Sequence, residues 1–220
     1  DNCLENIRNA VENGLKYGAI GVLNTDWGDR GHWQPLPISY LGFAYGAALS
    51  WSYEHNVDAD IAALLDTFAF HDDSGTMGKL AYDLGNAYQQ TSIAIPNGSL
   101  LFWAFHMTPD KIEERATDDL PEKLRQTIAY IDDVMAALRQ TQMARADGEL
   151  VQREFDIAAR MLKHGANHAL FLMGQGDAAQ LKADLNDIET QYRQNWLARN
   201  RPGGLEDSVS RFDTARELYG

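Results

Sequence analysis

The sequence predicts a mainly α fold, a helical bundle-like domain preceded by one helix and one strand, and three features carry that reading. From Pro37 onward, apolar residues recur at helical spacing almost without interruption, so the chain has one face to bury and one to solvate. Ahead of that stretch, a helical pattern runs into the short segment Ala19 to Leu23, apolar on both faces as a covered parallel strand is. Between the two lies Thr25 to Gln34, TDWGDRGHWQ, with two tryptophans, two aspartates, a histidine and two glycines in ten residues.

Taken in order, Asp1 caps a helix from about Asn2 to Tyr17 whose apolar positions are Leu4, Ile7, Val11 and Leu15, and Gly18 ends it. Ala19 to Leu23 then reads as a buried strand. No other convincing strand follows, so its hydrogen-bonding partners are missing from this sequence. A helix, a buried strand and a ligand loop form the closing unit of an α/β sheet or barrel, which defines a first region at 1–36. The second, 37–220, is all-α with about eight helices.

Within it, Ile38 to Trp51 is a Gly-, Ala- and aromatic-rich helix that Gly42 and Gly46 let pack closely. Asp58 caps a helix carrying Ile61, Leu64, Leu65 and Phe68, and Ser74 or Thr76 opens another with Leu80, Leu84 and Tyr88. Pro96, Asn97 and Gly98 make a turn before the apolar Leu100 to Met107, and Pro109 to Pro121 is a polar hinge or surface loop. Three long helices follow. Their apolar series are Leu124 to Leu138, Val151 to Leu172 and Leu181 to Trp196, and the sequence RNRPGGL (199–205) breaks the pattern before a last short helix.

The chain has 220 residues, 45% of them hydrophobic, enough for a sizeable core. A net charge of −13 argues against nucleic-acid and anionic-membrane partners and favours neutral or cationic ligands. The lone Cys3 precludes an internal disulfide and leans toward a reducing, cytoplasmic setting, with periplasmic or secreted alternatives. No apolar run reaches the roughly 18 residues of a membrane span. The absence of an initiator Met and of a signal peptide, with a start in mid-helix pattern, suggests a fragment or processed product.

The chemistry concentrates in Trp27, Asp29, His32 and Trp33. Indoles wall the apolar face of a sugar ring, and a carboxylate accepts hydrogen bonds from its hydroxyls. The competing reading is a structural loop with Trp in the core, and Asp26 is the residue most exposed to it. His164 and His168, four apart, have the spacing of two metal ligands, but Gly165 stands between them and no third ligand is evident, so no metal is expected. His71, Asp72 and Asp73 read as a solvated turn, and the pairs Asp118/Asp119 and Asp132/Asp133 as solvated faces. Ser39, Ser50 and Ser99 lack a nucleophile-elbow context and Cys3 lacks a partner histidine, so no nucleophile is assigned. Asn97, Gly98 and Ser99 form a glycosylation acceptor triplet. Trp196 with Arg199, Asn200, Arg201, Pro202 and a glycine pair reads as a tertiary lock, with a binding site as the alternative.

These residues carry a family resemblance. The stretch from Asn2 to Trp51, containing GVLNTDWGDRGHWQPLPISYLGFAYGAALSW, resembles the last helix and strand of the (β/α)8 barrel in a bacterial branch of the family 20 glycoside hydrolases, the β-N-acetylhexosaminidases. The later WLARNRPGGLEDS, Trp196 to Ser208, resembles the closing segment of the helical C-terminal domain in that branch. The resemblance implies retaining, substrate-assisted removal of terminal GlcNAc or GalNAc without metal or cofactor. The substrate's acetamido oxygen is then the nucleophile, an Asp orients the amide and a neighbouring Glu is acid and base. Both carboxylates belong to the end of the fourth barrel strand, which this sequence lacks, so no catalytic residue is assigned and the chain alone is expected to be inactive. Trp27 would wall the −1 pocket and Asp29 would accept from the sugar's O4 and O6 hydroxyls. Many members carry Glu at that position, one methylene longer. His32 and Trp33 are neighbours without a role.

Two other classes compete. One is a non-catalytic helical accessory or oligomerisation module, a homodimer formed through the glycine-spaced aromatics of Ile38 to Trp51. The other is a lectin-like domain, which would bind sugar by itself.

Overall fold

Helix α1 (Asn2–Lys16) begins the chain with Glu5 in its first turn and Lys16 in its last, each sign suited to the helix dipole there. It buries Val11, with Leu4 and Ile7 partly covered, against Leu41, Tyr45 and Leu49 of α2 (Tyr40–Trp51). The first helix therefore shares a core with the domain that follows. This computed structural model describes residues 1–96 and 98–220; Asn97, the first residue of the acceptor triplet and the middle one of the expected turn, lies outside the described residues.

The expected strand at Ala19 to Leu23 is not formed. The segment is irregular, and among the described residues there is no sheet, only two isolated bridges elsewhere. The physical reason is the missing ladder: no backbone–backbone hydrogen bond engages Ile20 to Asp26 among the described residues, and a lone strand has nothing to pair with. Nor is the segment buried, since Ile20 and Leu23 are 108% and 85% exposed.

Short helices follow: α3 (Tyr53–Asn56), α4 (Ile61–Leu65), α5 (Met77–Gly85), α6 (Leu100–Trp103) and α7 (Pro109–Glu113). Asp60, not Asp58, caps α4, accepting from the Ala63 N–H at 3.1 Å, while Asp58 pairs with Arg8 at 3.2 Å. Pro109 begins α7, so the polar stretch expected as a loop contains a helical turn. In the solvated turn expected at residues 71–73, His71 and Asp73 are exposed and only Asp72 departs. Asp72 is buried, accepts backbone N–H bonds from Thr76, Met77 and Gln142, and is held below the usual carboxylate range by those bonds against the opposing effect of its burial.

The long helices α8 (Leu120–Met135), α9 (Gly148–Leu172) and α10 (Ala178–Arg199) appear where the apolar periodicity places them, and α11 (Leu205–Val209) and α12 (Asp213–Leu218) close the fold. Helix α9 is its axis. Phe155 joins the cluster around α2 and α5, Met161 the cluster with α10 to α12, and Ala169 the cluster with α6 to α8. Gly165 permits the approach of α6, because a Cβ there would lie 2.0 Å from the Leu101 carbonyl oxygen. No helix among the described residues is long and apolar enough to cross a membrane.

The lock expected at the end of α10 exists. Arg199 grips the buried Glu154 with two bonds, Nε–Oε1 at 2.8 Å and Nη2–Oε2 at 2.6 Å, and reaches Asp147 at 2.6 Å. Trp196 Nε1 donates to the Arg201 carbonyl at 2.8 Å, which turns the chain toward α11.

Candidate ligand loop and cleft

The loop after the unpaired segment is held in an unusual backbone path. Asp29–Gly31 form one 3-10 turn, and Arg30, Gly31 and His32 have φ of 61°, 107° and 51°. Only Gly31 enters that region freely; each of the other two costs about 1–2 kcal/mol, so the surroundings must hold them there. Gly28 is needed for another reason. The His32 ring folds over it, and a Cβ at position 28 would lie 2.0 Å from His32 Nδ1.

The four residues singled out from the sequence separate into two groups. Trp33 is 4% exposed and belongs to the core. Its ring stacks on Phe212 with centroids 4.5 Å apart and meets Phe105 edge-on at 5.0 Å, while its Nε1 donates to the Ser208 carbonyl at 3.1 Å. Trp27, Asp29 and His32 face solvent. Trp27 is 76% exposed, with Nε1 donating to Thr25 Oγ1 at 3.1 Å. The exposed Asp29 carboxylate accepts no hydrogen bond among the described residues, so its lone pairs are free for a ligand. Asp26 is occupied: it accepts from Ser39 Oγ at 2.6 Å and from Gln34 Nε2 at 3.4 Å, which closes the loop on itself.

A cleft of about 1160 Å³ opens beside this loop, between α1, α2, α5 and α9. Asn24, Asp26, Gln34 and Ser39 give it a polar rim and Leu41, Phe102 and Met161 an apolar floor. Trp33 contributes to its wall, whereas Trp27, Asp29 and His32 lie outside it. Asn24 has no signal of its own in the sequence. Its Nδ2 donates to the Gly42 carbonyl at 3.0 Å and fills the space a Cβ on Gly46 would need, at 2.4 Å. The glycine spacing on α2 signals a close approach, but nothing local identifies the approaching side chain.

His164 and His168 serve packing. His164 Nδ1 meets Asp184 Oδ2 at 2.7 Å, and its Nε2 and His168 Nδ1 both meet the Tyr219 hydroxyl, at 3.0 and 2.5 Å. Burial, with a smaller contribution from His164, lowers the His168 pKa to about 3, and burial pushes the Tyr219 phenol up. His106, stacked on Trp33 at 5.3 Å, is lowered to about 4 by burial and then by Arg30 and Arg211. Among the described residues, no group of three His, Cys, Asp or Glu side chains is placed to hold a metal.

Fold and site together define a mainly helical protein that presents an indole, a free carboxylate and an imidazole on one tightly held loop. Compared with models of known families, with curated proteins and with solved structures, the chain matches none.

Proposed function

We propose that this chain is the C-terminal portion of an exo-acting β-N-acetylhexosaminidase of the family 20 type, carrying the final helix and strand segment of a (β/α)8 barrel and the helical domain behind it. The observation that carries the reading is the apolar run Ile20 to Leu23, exposed and unpaired, leading directly to the exposed Trp27 and Asp29. Such a run is costly in water and gains both burial and a hydrogen-bond ladder when neighbouring barrel strands cover it. In the intact enzyme, Trp27 walls the −1 sugar and Asp29 accepts from its hydroxyls. The amide-orienting Asp and the acid/base Glu come from another part of the barrel, and no metal or cofactor takes part. The lone, exposed Cys3 suits a cytoplasmic enzyme.

Asp29→Ala in the intact enzyme tests this. Charge-assisted hydrogen bonds worth ~1.5–3 kcal/mol imply a fall in kcat/KM of about 10- to 150-fold with unchanged unfolding. The 220-residue chain alone should release no nitrophenol from nitrophenyl GlcNAc. A second reading, a helical assembly module, is favoured by one observation: Trp51 at the end of α2 is 89% exposed. It predicts that Asp29→Ala leaves kinetics intact and that Trp51→Ala lowers the oligomeric state.

A further inference from the structure

The two motifs of this sequence, the loop at 25–34 and the closing segment at 196–208, lie at opposite ends of the chain yet meet atom to atom. Ser208 is 2% exposed and uses both its backbone and its side chain on the loop. Its carbonyl accepts the Trp33 indole N–H at 3.1 Å, and its Oγ donates to the Gly31 carbonyl at 2.5 Å. A serine hydroxyl has a single proton, and Ser208 commits it to Gly31, so the Tyr192 hydroxyl 2.7 Å away is the donor in the Tyr192–Ser208 bond and shares that one proton with the His32 carbonyl at 3.4 Å. The Gly31 backbone lies so close that a Cβ there would sit 3.2 Å from the Ser208 carbonyl oxygen. These contacts bear on the three residues with positive φ, a conformation that residues 30 and 32 do not adopt unaided. The geometry points to Ser208, buttressed by Tyr192, as a positioning residue that holds Arg30–His32 left-handed and so fixes the direction in which Asp29 and Trp27 face.

That Ser208 acts on the loop is independent of the ligand; its consequence for sugar hydrolysis rests on the function proposed above. Ser208→Ala removes the Gly31 bond and leaves the carbonyl that receives Trp33, so loop positioning and general packing respond differently. In amide-exchange NMR of the 220-residue chain, Ser208→Ala should speed exchange at Arg30–His32 by ~10-fold or more, as for the loss of one buried hydrogen bond, while the Trp33 indole N–H and α9 keep their protection. Tyr192→Phe should act on the same three residues to a smaller degree. Unchanged exchange at Arg30–His32 in Ser208→Ala overturns the inference. So does a loss of protection that spreads to the Trp33 indole and α11, which would make Ser208 only a prop for the closing helices. In the intact enzyme, Ser208→Ala should lower kcat/KM with its unfolding unchanged. If the loop loosens but neither Ser208→Ala nor Asp29→Ala alters kinetics, the clamp stands and the sugar-site reading fails.

Discussion

Replacing Arg199 with Met tests whether the last turn of α10 is fastened by charge or by packing. Glu154, on the inner side of α9, has a side chain only 1% exposed, and Arg199 supplies both of its hydrogen bonds. The methionine keeps much of the apolar stem but leaves a buried carboxylate without a counter-charge. Breaking a buried pair from one side costs about 3–5 kcal/mol, and at roughly 2–4 °C per kcal/mol for a chain of this size Tm should fall by about 6–20 °C. Part of the loss also falls on Asp147, which keeps its pairing with Arg145. Urea unfolding at pH 7, followed by far-UV circular dichroism, gives the free energy. Pairing the change with Glu154→Leu removes the stranded charge and should recover most of the loss. The reasoning is refuted if Arg199→Met costs less than about 1 kcal/mol, the value of an exposed pair, or if the double variant is no more stable than the single one.

Gly165→Ala gains about 1 kcal/mol of helix propensity but drives a methyl into the Leu101 carbonyl, 2.0 Å away, and overpacking of this kind costs about 1–3 kcal/mol or more. A lower urea midpoint is therefore expected, whereas Gly85→Ala, with nothing within 4 Å of its Cβ, should leave the midpoint unchanged or raise it. His168 and His106 titrate near 3 and 4 in the folded chain, so below the unfolded value of 6.5 the unfolded chain binds protons that the folded chain does not. Their contribution is complete above about pH 6.5 and is lost as pH falls toward 3. By pH 5, His168 alone accounts for about 2 kcal/mol, His106 adding less because it is more solvated. Urea midpoints measured from pH 7.5 to 4.5 should fall accordingly, and a flat profile would refute the burial of these rings.

The long helices are legible because burial of one face leaves a period in the sequence. Leu124, Ile131, Phe155 and Leu185, all on periodic positions, are all fully buried. The helix expected over residues 2–17 matches α1 to within a residue for the same reason. The expected strand fails because an apolar run records only that a segment is meant to be covered, while a strand exists only with a partner to complete its ladder. Asp58 and Asp60 are both caps by residue type, and only the path of the chain before α4 selects Asp60.

The sequence by itself determined that this protein is mainly helical and that RNRPGGL closes a lock, since periodicity, residue chemistry and glycine punctuation are local properties, and it singled out TDWGDRGHWQ as a candidate loop. It did not distinguish the two tryptophans of the loop. Trp27 and Trp33 are chemically alike, and only the meeting of residue 33 with Ser208, Phe212 and Phe105, from segments about 70 to 180 residues away in sequence, buries one and leaves the other to solvent. Tertiary packing also occupied Asp26, left Asp29 free and tied His164 and His168 to Tyr219. Each of those outcomes depends on which distant atoms arrive, and no local pattern encodes that.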